Sequence, residues 1–120
     1  MSKFTNFIEK GKKGYCKEDL WNIDIWFLKT IVPMLKEFKE NLHGYPSNYT
    51  NSEEWDKELD NLIFYFSEAN EETCSEKNEV DYESDSDGWL HREREIYNYR
   101  NEMKNKAFEL FKNCFWDLWD

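Results

Sequence analysis

Residues 52–70 read SEEWDKELDNLIFYFSEAN, and this stretch decides the fold class. Trp55, Leu59, Leu62, Ile63, Phe66 and Ala69 recur at steps of three and four, while Glu58, Asp60 and Asn61 fall between them. That period puts the apolar side chains on one stripe of an α-helix and the charges on the other side. The residues just upstream supply its start, because Thr50 with Glu53, or Asn51 with Glu54, has the spacing of a capping box. A helix with one buried face needs partners, so the flanking sequence must provide more helices.

Upstream, Phe27, Ile31, Leu35, Phe38 and Leu42 repeat the same period, and Asp19 or Asn22 can cap the helix they define. The spacing predicts a helix over 20–42 that kinks near Lys29 to Pro33, since proline removes a backbone donor and crowds the preceding turn. Gly44 and Pro46 end it. Downstream, Ile96, Met103, Ala107, Leu110, Phe111, Cys114 and Leu118 predict a long third helix over 89–118. Residues 1–18 read as an irregular basic arm with room for a short strand, because Gly11 and Gly14 interrupt a lysine-rich run. Residues 71–88 read as a mobile acidic loop, with only Val80 and Tyr82 apolar before Gly88. The expected architecture is all-α: one helical domain over 1–120, built as a three-helix bundle with that arm and that loop.

Charge and cysteine usage narrow the function classes. The chain of 120 residues has 26 acidic against 16 basic side chains and a net charge of -10, which disfavours direct binding to nucleic acid. The charge is unevenly spread, with +4 over residues 1–17 and -7 over residues 71–87. Cys16, Cys74 and Cys114 are odd in number and widely spaced, as in a reduced chain. No stretch approaches the ~18 apolar residues of a membrane span, and no membrane partner is expected.

Chemistry-bearing motifs are few. Glu83-Ser84-Asp85-Ser86-Asp87-Gly88 has the alternating oxygens of a calcium loop, but its twelfth position is Arg94 where a bidentate glutamate is needed. His43 and His91 have no ligand partner one turn away, so no metal site is expected. There is no nucleophile elbow and no glycine-rich phosphate loop, and neither catalysis nor a cofactor is expected. What remains is an aromatic and basic set: Lys12, Lys13, Tyr15, Trp21 and Trp26 around the first helix, and Trp89, Arg92, Arg94, Tyr97 and Arg100 at the start of the third. Rings stack on bases and arginines grip phosphates, so these ten residues are the candidate ligand-binding set. The ordinary reading makes Trp26 and Tyr97 core residues and pairs Arg92 and Arg94 with nearby acids.

Gly14-Tyr15, Asp19, Trp21-Asn22 and Asp24, then Tyr45-Pro46 and Glu54-Trp55-Asp56, then Leu110-Phe111, Phe115 and Leu118-Trp119-Asp120 resemble a widespread family of small bacteriophage proteins, most of them uncharacterised. Ala107-Phe108 departs from the family's usual Gly-Leu pair, and the acidic loop has no counterpart. The resemblance implies a phage origin, the cytoplasm of an infected bacterium as the setting, and action against host defence. It carries no catalytic residues. The expected function is therefore non-enzymatic sequestration of a small anionic ligand, a nucleotide immune signal for example. The alternative is an acidic inhibitor that offers residues 71–87 to a basic surface of a host defence protein. Phe108, Trp116 and Trp119 lie off the third helix's main stripe, so a homo-oligomer is also expected.

Overall fold

The computed structural model describes residues 2–119; Met1 and Asp120, the last residue of the closing motif, lie outside the described residues. The protein is all-α, with helices α1 (Lys3–Lys13), α2 (Ile23–Glu40), α3 (Ser52–Ala69) and α4 (Ser86–Cys114). Short 3₁₀ helices at Lys17–Trp21 and Phe115–Asp117 lead into α2 and out of α4. Among the described residues there is no strand.

α3 is the centre of the molecule, and both α2 and α4 pack on it. Its stripe does what the period demands: Trp55, Leu59, Leu62 and Phe66 are fully buried, and Ala69 nearly so. Each large side chain taken out of water contributes about 1.5–3 kcal/mol, so this stripe is the main source of cohesion. Leu28 and Leu35 come from α2, and Met103, Ala107 and Cys114 from α4, to complete the core. Phe27, Phe66, Phe108 and Phe111 join edge-on or stacked at centroid separations of 5.3–6.3 Å, the arrangement aromatic quadrupoles favour. The start of α3 is fixed as its sequence suggests, with the Glu54 amide donating to Asn51 Oδ1 (2.8 Å) and Glu54 Oε2 accepting from the Thr50 amide (3.0 Å).

Three expectations are corrected. Residues 3–13 form a helix in place of an irregular arm or strand, capped by Ser2 at its start and ended by Gly14 in the left-handed region, φ 83°. Gly11 lies inside that helix with open space around it, so it breaks nothing. α2 begins at Ile23 in place of residue 20 and ends at Glu40, because Lys17–Trp21 form the 3₁₀ turn that leads into it. α4 begins at Ser86, three residues before the expected start, because the Asp85 carboxylate accepts the Gly88 amide at 3.0 Å and caps it. A Cβ on Gly88 would meet that carboxylate at 2.2 Å, so glycine is what lets the cap close.

The segment between α3 and α4 is pinned at many points. Buried Glu68 accepts from the Ser75 amide (2.9 Å), from the Ser75 hydroxyl and from the Tyr99 hydroxyl (2.6 Å). Asn78 donates to the Trp89 carbonyl and to Glu93, both at 3.1 Å, and the Arg92 guanidinium donates to the Lys77 carbonyl. Cys74 is buried beneath these bonds. Side-chain to backbone hydrogen bonds order a segment that apolar burial alone could not.

Candidate functional site

α2 and α4 flank α3 without approaching each other backbone to backbone, so a groove remains between them. Ring contacts bridge it, with Phe27 of α2 stacked on Phe108 of α4 at 5.6 Å and an interplanar angle of 22°. The groove encloses about 440 Å³ and is lined by Ile23, Asp24, Ile25, Phe27 and Leu28 on one wall, Ala69 at its base, and Tyr97, Arg100, Asn101, Lys104 and Phe108 on the other. On α4, residues 97, 100, 101, 104 and 108 follow helical spacing and share one face. That face gives the groove an aromatic rim, two cations and an apolar end.

The two cations are held differently. Arg100 Nε donates to the Ala69 carbonyl at 2.9 Å, satisfying one of the free carbonyls at the end of α3 and anchoring the guanidinium. Lys104 is exposed and makes no ion pair among the described residues. Opposite them stands Asp24, whose Oδ1 accepts the Ile25 amide at 2.9 Å. The groove can therefore take a negative group against Arg100 and Lys104, a flat ring beside Phe27 and Phe108, and a donor at Asp24.

A second hollow of about 270 Å³, lined by Tyr15, Asp19, Leu20, Ile23 and Trp26, adjoins the groove through the shared Ile23. Trp26 Nε1 donates to the Gly14 carbonyl at 3.0 Å, which ties this wall to the end of α1. The Cys16 amide donates to Asp19 at 2.8 Å, and this bond holds the Asp19 carboxyl below its ordinary range. Asp19 stays ionised and works as a local cap.

The ten sequence-derived residues thus do not converge on one site. Tyr97, 64% exposed, and Arg100 face the groove; Tyr15 and half-buried Trp26 face the adjoining hollow. Arg92 is committed to the loop, contacting Glu76 at 3.6 Å and Glu95 at 3.9 Å beside its bonds to Lys77, and Trp89 packs edge-on against Tyr82 at 5.3 Å. Arg94, Trp21, Lys12 and Lys13 are exposed and line neither cavity. Missed by sequence were Lys104, Asn101, Asp24, Phe27 and Phe108. Lys104 could have been found, since it stands one turn beyond Arg100 and two beyond Tyr97; the opposing wall could not.

The remaining candidates for chemistry are quiet. Burial raises the Glu68 carboxyl, but the bonds from Ser75 and Tyr99 outweigh it and leave it below its ordinary value, so it is an ionised structural acceptor. Cys16, Cys74 and Cys114 are unpaired and buried. Among the described residues no group of three or more His, Cys, Asp or Glu could hold a metal ion, and no helix is long and apolar enough to cross a membrane. No protein-family model, curated protein or solved structure matches the chain.

Proposed function

We propose that this is a non-enzymatic binding protein whose groove between α2 and α4 takes a small anionic ligand carrying a flat ring, with a nucleotide as the fitting chemistry. The observation that carries this reading is the placement of Arg100 and Lys104 one turn apart on a wall that ends in Phe108 and faces Phe27. A phosphate next to two cations gains charge-assisted hydrogen bonds, and a base beside the rings gains stacking. The resemblance to small phage proteins supplies the setting: sequestration of a nucleotide immune signal in the cytoplasm of an infected bacterium, with the ligand held and not converted.

The test is calorimetric titration of the protein with nucleoside monophosphates, cyclic dinucleotides and inorganic phosphate. At least one nucleotide should bind saturably, at one site per chain, and be recovered unaltered after incubation. Lys104→Ala should weaken it by ~10- to 100-fold, the loss of a bond worth about 1.5–3 kcal/mol. Absence of binding across the panel, or turnover of the nucleotide, would sink the proposal.

The acidic-inhibitor reading keeps one supporting observation. Glu71, Glu79, Glu83 and Asp87 point to solvent on the ordered segment, whereas Asp81 and Asp85 are engaged in its turns and cap. An ordered array of carboxylates can steer onto a basic protein surface. Changing those four exposed acids to amides should slow association with such a target and leave groove ligands untouched.

A further inference from the structure

α1 is amphipathic, but it is mounted the wrong way round for a helix that serves a core. Phe4, Phe7, Ile8 and Gly11 recur at steps of three and four on one face, and Asn6, Glu9, Lys10 and Lys13 on the opposite one. The polar face is the one that meets the rest of the protein. Glu9 Oε2 accepts the Lys17 amide at 2.9 Å, Lys10 pairs with Asp19 at 3.8 Å, and Asn6 and Glu9 are the half-buried residues of the helix. The apolar face looks outward, leaving Phe4 72% and Phe7 76% exposed, and no residue of α1 is buried. α1 packs on the short 3₁₀ helix at Lys17–Trp21 and on no other element. The same short helix exposes Trp21 at 80%.

We propose that α1 is an interfacial anchor, whose apolar face enters the surface of a bilayer bearing anionic phospholipid headgroups. Charge complementarity selects this occupant. Lys3 stands one turn from Phe7 and Lys12 one turn from Ile8, so lysines border the apolar face on both sides, where their stems can lie along the acyl boundary with the ammonium groups at headgroup level. Five lysines against one glutamate leave +4 within residues 1–17, and the other residues together carry -14. That division draws the helix, rather than the acidic remainder of the chain, toward an anionic surface. A second copy of the chain fits worse. Face-to-face pairing would bring lysine borders together, and two phenylalanines with one isoleucine fall well short of the ~800 Å² per partner of a stable dimer. Lying on a bilayer is distinct from spanning one, and no spanning helix is needed.

The experiment is vesicle flotation of the full chain with phosphatidylglycerol–phosphatidylethanolamine vesicles and, separately, phosphatidylcholine vesicles. The protein should float with the anionic vesicles, remain behind with the zwitterionic ones, and be released by added salt. Phe7→Asp should lower partitioning at least ~10-fold, since it removes a ring from the interface and adds a like charge. Lys3→Glu with Lys12→Glu should do the same while all three aliphatic and aromatic anchors stay in place. These side chains make no core contact, so circular dichroism and groove-ligand affinity should match the parent. Failure to float, equal flotation with both lipids, or indifference to Phe7→Asp would overturn the proposal. So would a dimer in sedimentation that Phe7→Asp dissolves in a protein that ignores vesicles, which would assign the face to a second copy.

Discussion

Glu68 shows how one side chain organises its surroundings. It is a carboxylate with 4% exposure whose acceptor sites are filled by Ser75 and Tyr99, and removing it strands those donors. Glu68→Ala should therefore cost about 1–3 kcal/mol, with Glu68→Gln milder, as read from denaturant midpoints. Its titration gives a pH signature. Because the folded carboxyl lies below its ordinary 4.5, its contribution is present above that value and lost as pH falls below it. At the alkaline end the sign reverses. The bond to Glu68 pushes the Tyr99 hydroxyl from 10.0 up to about 12, burial pushes Tyr49 from 10.0 to about 12, and burial pushes the Cys114 thiol from 9.0 to about 11. These protonated groups support the fold below pH 9, and stability should decline as pH rises from 9 to 12. Thermal melts across pH 4–12 check both limbs, and a flat alkaline limb would contradict the burial of these groups.

At the scale of elements, two segments exchange the roles their composition suggests. Residues 71–88 read as a mobile acidic loop, but Cys74 is buried there and Ser75 and Asn78 bond to α3 and α4. Replacing 73–86 by a Gly/Ser linker would leave Glu68 bare and delete the Asp85 cap, so a loss of ~2 kcal/mol or more is expected in equilibrium unfolding. An unchanged midpoint would show that the bonds are incidental. α1 is the reverse case: it is a regular helix, yet it buries nothing. Deleting residues 2–13 should shift the melting temperature by no more than a couple of degrees. The helix best read from sequence, α3, is the one whose apolar stripe is deepest in the core. α1 was missed because its 11 residues carry a glycine and a lysine-rich run that read as an irregular arm.

At the scale of the whole molecule, the protein is flat. Its extents are 55 × 38 × 20 Å and its radius of gyration is 17.7 Å, where a compact chain of this length would have about 14 Å. Small-angle scattering from the monomer should return a value close to the larger figure. A value near the smaller one would mean that α2 and α4 close over the groove. The flatness explains why so many large side chains remain exposed, among them Met34, Trp116 and Trp119 around a further apolar hollow between α2 and the C-terminal turn.

The helical class and the stripe of α3 were determined by sequence, which also narrowed the α3 cap to Thr50 or Asn51, because each depends on residues within a turn or two of one another. The stripe of α4 was legible for the same reason. The groove was decided by tertiary structure: Asp24 and Phe27 line one cavity with Arg100, Lys104 and Phe108 only because α2 and α4 both pack on α3. The order of the acidic segment was decided there too, since Asn78 bonds to Glu93 and the Lys77 carbonyl accepts from Arg92, each pair 15 residues apart in sequence. Local periodicity reports which face of a helix is apolar; which neighbour that face meets, or whether it meets any, is settled by packing over the whole chain.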